Sequence, residues 1–113
     1  MIRLAATVCV KALRMGLAAG MASNMPLDQE QNSTLILPVD GAAQEEELLA
    51  AFARLNLHCA EKFPAFLDSL AGYSDLDILV LSRYDSDSIQ NCLGRLRQSG
   101  NQVSFFVTEG GCV

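Results

Sequence analysis

The chain has 113 residues, half of them apolar and 19% charged, which places it with globular single domains and not with disordered chains. A net charge of −5 and a pI near 4.6 argue against a nucleic-acid surface, which needs clustered Lys and Arg. Four cysteines (Cys9, Cys59, Cys92 and Cys112) with no C-x-x-C and a single histidine fit neither a zinc site nor a dense disulfide framework. They read as reduced, mostly buried thiols of a cytosolic protein.

The N-terminal stretch has the small apolar residues of a secretory signal, with Met21-Ala22-Ser23 as a cleavage site. Lys11 and Arg14 interrupt its apolar region, however. Arg3, Thr7, Lys11 and Arg14 share an arc of about 80° on a helix turning ~100° per residue. Leu4, Ala5, Val8, Cys9, Ala12, Leu13 and Met15 take the rest of the circumference. The pattern predicts a largely buried helix with one polar stripe, ended by Gly16. No uncharged run approaches the ~18 to 20 residues of a membrane span.

A short strand follows over Leu17–Ser23, then a polar loop over Asn24–Ser33 and a strand at Thr34-Leu35-Ile36-Leu37. Pro38 marks an edge position, and the connection suits antiparallel pairing. Asp40-Gly41 turns the chain into a helix started by Glu45, Glu46 and Glu47, with Leu48, Leu49, Phe52, Ala53 and Leu55 as its buried side. Consecutive glutamates point in different directions around a helix, so this triplet is a solvated first turn and not a metal patch. Glu61-Lys62-Phe63-Pro64 opens a further helix, with Phe63, Phe66, Leu67 and Leu70 on one face and Gly72 at its end. His58 beside Cys59 has the chemistry of a base and a nucleophile. Adjacent side chains rarely face each other, and no third group is in sight, so the pair is not assigned to catalysis.

Residues 77–107 form the most legible unit, strand–helix–strand. Ile78-Leu79-Val80-Leu81 is the unbroken apolar run of a strand buried on both faces. Asp85-Ser86-Asp87-Ser88 offers oxygens and negative charge to a helix start. Ile89, Cys92, Leu93 and Leu96 make an apolar stripe, and Gly100-Asn101 stops the helix. Val103-Ser104-Phe105-Phe106-Val107 is the second strand, parallel to the first through a crossover. Gly110-Gly111 has no following helix, so it is no phosphate loop.

The element order lacks a strand before the first helix. Arg3-Leu4-Ala5-Ala6 with Gly16-Leu17-Ala18-Ala19-Gly20 resembles the first helix and second strand of a von Willebrand factor A-like domain. Leu37-Pro38-Val39-Asp40-Gly41 followed by Glu47–Leu55 resembles its third strand and second helix. Asp77-Ile78-Leu79-Val80-Leu81-Ser82 resembles the fourth strand, and residues 89–107 the next helix and fifth strand. The chain is most similar to a branch of bacterial proteins often encoded beside MoxR-type ATPases.

That resemblance implies a three-layer α/β fold, a mostly parallel sheet with helices on both faces, lacking the first strand; residues 1–113 would be one truncated domain. Such domains bind a divalent metal through an Asp-x-Ser-x-Ser loop, a threonine and an aspartate. Here the loop is absent, Gly41-Ala42-Ala43 offers no side-chain oxygen, and Arg83 takes the aspartate's place. Ser82 and Asp85 remain, too few for a hard cation. No cofactor or metal is therefore expected, and Asp85 reads as a helix cap.

The implied function is a metal-less protein-binding or scaffold module that docks a protein partner, a MoxR-type ATPase being the one the resemblance names. Ser82, Arg83, Tyr84 and Asp85 form the candidate partner-binding loop, with Glu109–Val113 beside it at the carboxyl ends of the strands. The missing strand implies self-association of the isolated piece. The expected location is cytoplasmic, with a parent protein that can be membrane-anchored. The alternative is a small α/β enzyme or nucleotide binder using the loops after residues 78–82 and 103–107, with Ser82, Asp85 and Cys112 as polar groups. It lacks a base, a phosphate loop and a metal site. A receiver-like domain would need an acidic cluster after a first strand, and none is visible.

Overall fold

The computed structural model describes residues 1–108. Its elements are α1 (Ile2–Arg14), β1 (Ala19–Ser23), β2 (Thr34–Val39), α2 (Ala42–Ala53), α3 (Phe63–Ser69), β3 (Asp77–Ser82), α4 (Asp87–Gln98) and β4 (Gln102–Val107). The chain divides into two compact units, Ile2–Glu61 and, among the described residues, 62–108 grouped with Met1. This is an α/β fold with two two-stranded sheets, one antiparallel and one parallel. Of the expected mostly parallel sheet, the structure thus contains the parallel pair, while the first two strands form a sheet of their own.

In the first unit β1 pairs antiparallel with β2, as the connection length required, in the register Met21↔Ile36, Ala22↔Leu35 and Ser23↔Thr34. The register slips between Ala19 and Met21. Gly20 is needed there, because a Cβ on it would overlap the Ile36 carbonyl oxygen and lie 2.7 Å from Pro38 N. Gln44 holds the irregularity in place by donating from Nε2 to the carbonyls of Ala19 (2.9 Å) and Leu37 (3.1 Å). The core is Leu13, Met21, Leu48 and Phe52, with Ile2, Ala5, Ala6, Cys9, Ala19, Ile36 and Leu55 against it. Leu48 is completely buried, which contributes roughly 2 kcal/mol relative to leaving it exposed. The loop after β1 is tied to residues 54–61, with Asp28 N–H donating to Arg54 O, Asn56 N–H to Pro26 O and Ala60 N–H to Asn24 O.

Two sequence expectations fail in this unit. The helix α1 is not largely buried: Leu4 and Val8 are exposed beside the polar stripe, as is Met15 in the turn after it, and of the helix residues Leu13 alone is buried. In α2, whose first turn holds Glu45 as expected, the buried side differs: Leu49 and Ala53 face solvent while Gln44, Leu48, Ala51 and Phe52 are buried. Periodicity assigns residues to a shared face; how wide the covered sector is depends on what packs against it.

In the second unit β3 and β4 run parallel, paired from Asp77↔Gln102 to Ser82↔Val107. The stripe of α4 is buried as its spacing dictates, Ile89, Cys92, Leu93 and Leu96 lying with Phe66, Leu67 and Val80 in one core. Gly100, at φ +99°, makes the left-handed turn after α4. Asn101 has no left-handed role; its side chain is buried and pins three backbone groups. Its Nδ2 donates to Tyr73 O (2.9 Å) and Leu96 O (3.0 Å), and its Oδ1 accepts from Leu76 N–H (3.0 Å). The expectation of a strand buried on both faces is corrected. Ile78, Val80, Val103 and Phe105 face the core, but Leu79 and Phe106 on the opposite side are 38% and 56% exposed. Parallel strands are ordinarily covered on both sides.

Candidate functional site

The candidate loop leaves β3 at its carboxyl end and enters α4. The buried Ser82 is the last strand residue, and its carbonyl accepts from Thr108 N–H at 2.8 Å, which extends the pairing with β4. The Ser82 hydroxyl donates to Tyr84 O (2.7 Å) and accepts from Tyr84 N–H (3.2 Å), closing a tight side-chain turn. Both its donor and an acceptor site are therefore used inside the loop.

Asp85 is spent in the same way. Its Oδ1 accepts from Ser86 N–H (2.7 Å) and from Gln90 Nε2 (3.0 Å). The N-cap itself is Ser86, whose Oγ accepts from Ile89 N–H at 3.2 Å. The expectation of Asp85 as the cap is corrected by one position: a cap residue needs extended φ/ψ, which Ser86 has at −158° and 164°. Asp85 orients the cap residue and Asp87 supplies the negative charge of the first turn.

Of the four named residues, two thus build the loop and two point outward. Arg83 is exposed, and Tyr84 is 49% exposed. The neighbouring stretch Glu109–Val113, with Cys112 and Gly110-Gly111, lies outside the described residues. Thr108 Oγ1 at the end of β4 is buried without a hydrogen-bond partner among the described residues.

Ser82, Arg83 and Asp85, which only the resemblance sets at a metal site, do not suit one. Ser82 has committed its hydroxyl to Tyr84, Asp85 its Oδ1 to the helix start, and Arg83 brings a positive charge. Among the described residues no three His, Cys, Asp or Glu side chains gather as a metal site.

The other groups singled out by chemistry lie apart. His58 and Cys59 are both exposed, and the contact His58 makes is structural, its backbone N–H donating to Asn56 Oδ1 at 3.2 Å. Cys9, Cys59 and Cys92 are free thiols, and among the described residues the expectation that the cysteines are mostly buried holds only for Cys92, Cys9 being half-buried and Cys59 exposed. Burial pushes the Cys92 thiol up, Asp68 adds to the effect, and the thiol donates to Pro64 O at 3.3 Å. It is a protonated, inert group in the core. Arg95 forks onto Asp68 at 2.8 and 3.0 Å, which holds that carboxyl below its ordinary range. Both partners are about half-exposed, so the pair adds little stability.

Residues that matter without having been singled out are Gln44 and the side chain of Asn101. Each is a polar residue at the join of a helix and a strand, a weak signal in sequence. No helix among the described residues is long and apolar enough to cross a membrane. Comparison of the chain with protein-family models, with curated proteins and with solved structures finds no match.

Proposed function

We propose that the chain is a portion of a von Willebrand factor A-like domain without a working metal site, and that it docks a protein partner through Arg83 and Tyr84. The observation that carries this is the division of labour in the loop. Ser82 and Asp85 satisfy the backbone, so an arginine and a tyrosine are held outward on a short connection anchored at both ends. Arg and Tyr are the residue types that dominate binding energy at protein interfaces, and a preset loop loses little entropy on binding.

The strand pairing supports the A-like resemblance. That fold places its first strand between the second and the fourth, the counterparts of β1 and β3. Among the described residues, each of these strands has a ladder on one side only. The three-layer sheet completed by that strand is part of the proposal, as is a MoxR-type ATPase as partner and a cytoplasmic location.

A thermal-shift panel tests the docking reading against a small-molecule site. The expected result is no change in unfolding temperature with nucleotides, Mg²⁺ or Mn²⁺. A saturable rise with any of them overturns the reading, since a ligand at a hundred times its Kd stabilises by about 2.7 kcal/mol.

A further inference from the structure

The outward side of α1 carries a second feature, which the loop proposal leaves unexplained. We infer that this helix face adsorbs to an anionic lipid surface. Leu4 and Val8 of α1, and Met15 in the turn that continues it through an N–H bond to Lys11 O at 3.1 Å, lie within an arc of about 40° at ~100° per residue, and they are 46%, 40% and 71% exposed. Leu17, just past the helix, is 55% exposed. Lys11 adjoins this apolar arc, and Arg14 and Arg3 continue from it around the helix, all three exposed. The inner side, with Ile2, Ala5, Ala6, Cys9 and Leu13, is already packed on the core, so the outer apolar side chains are not spare core residues.

Charge chooses the occupant. No Asp or Glu precedes Asp28, whereas Arg3, Lys11 and Arg14 do, in a chain whose net charge is −5. Arg14 is shared with Glu45 at 3.2 Å, while Arg3 and Lys11 have no ion-pair partner among the described residues. A cationic stripe bordering an apolar arc is the pattern that lies in a bilayer interface, with cations at the headgroups and apolar side chains at the acyl boundary. Lysine and arginine stems can lie along the apolar side while their charges stay in water. Four exposed apolar side chains offer a few hundred Å² at most, a patch of ordinary size. That is well under the roughly 800 Å² per partner of a standard protein interface. Nucleic acid would make no use of the apolar half.

The test is cosedimentation of the full chain with vesicles of phosphatidylcholine and phosphatidylserine, beside pure phosphatidylcholine vesicles. Binding is expected to the anionic vesicles only and to disappear in salt of about 1 M, where the screening length falls to about 3 Å. Arg3→Gln combined with Lys11→Gln should weaken it about thirty-fold, from about 1 kcal/mol for each cation. Both positions are exposed, so far-UV circular dichroism should be unchanged. Because the chain has no tryptophan, Met15→Trp gives a single reporter whose emission should shift to the blue on the anionic vesicles. No binding to anionic vesicles, binding unaltered in the double variant, or an unshifted emission from the indole of the Met15→Trp chain overturns the inference. So does retention by RNA or an acidic polypeptide in place of lipid.

Discussion

Replacing Asn101 by alanine removes the clamp that joins the end of α4 to the segment entering β3. The Leu76 amide would lose its side-chain acceptor, at 3.0 Å, and the Tyr73 carbonyl a 2.9 Å bond. Leu96 O would keep the longer bond from the backbone N–H of residue 101, at 3.3 Å. The orphaned amide costs about 1 to 3 kcal/mol and each lost bond roughly 1 kcal/mol, so the expected loss is about 3 kcal/mol. In a domain of typical stability that is a large fraction of ~5 to 15 kcal/mol. Urea unfolding followed by tyrosine fluorescence reads it, because both tyrosines, Tyr73 and Tyr84, lie in the unit of residues 62–108. The midpoint should fall by roughly 1 to 2 M with the slope unchanged. Asn101→Asp keeps the acceptor for Leu76 but sets a carboxylate against two carbonyls, and should be no better than alanine. A fall of under about 0.5 kcal/mol for Asn101→Ala would refute the clamp, since exposed substitutions have effects of that size.

Other consequences are equally direct. Gly20→Ala places a methyl against the Ile36 carbonyl and should destabilise the first unit by roughly 2 kcal/mol, a typical overpacking cost. Amide exchange of β1 and β2 reads it. Asp68 is held down chiefly by Arg95; a lowered carboxylate favours the fold above its ordinary pKa and loses that contribution as pH falls through the folded value. Arg95→Met should return Asp68 to the ordinary carboxylate range in an NMR titration, and an unmoved Asp68 would contradict the cause. The isolated chain, with Leu35, Leu37 and Val39 exposed along β2 and Phe106 along β4, should self-associate as concentration rises in sedimentation velocity. A strictly monomeric species at high concentration contradicts self-association through these apolar side chains.

The strand–helix–strand unit was legible because every local signal agreed. The apolar run, the oxygen-bearing run from Asp85 to Ser88, the 3.6-residue stripe from Ile89 to Leu96 and Gly100 each point to the same element, with the cap one residue later than read. The first unit was legible in its elements and pairing, but not in its burial. Leu4, Val8, Met15 and Leu49 obey helical spacing, yet spacing carries no information on where a neighbouring layer ends. Nor does an apolar run reveal whether a strand is covered on one side or two, which is why Leu79 was misplaced. The loop was located by sequence as the turn after β3; its division into building residues and presented residues was not. Ser82 and Asp85 are oxygen-bearing side chains that suit either a ligand or a turn, and only the bonds to Tyr84 and Ser86 decide between them.

Docking through Arg83 and Tyr84 is tested most directly by calorimetric titration of the chain into a purified MoxR-type ATPase, beside Arg83→Glu and Tyr84→Ala. Both side chains are exposed, so circular dichroism of each variant, which should match the parent's, controls for folding. The account predicts saturable binding by the parent, weakened at least about tenfold in each variant, the ~1.4 kcal/mol or more that separates a hot-spot residue from a bystander. Binding of equal strength in all three proteins, or none by the parent, would contradict it.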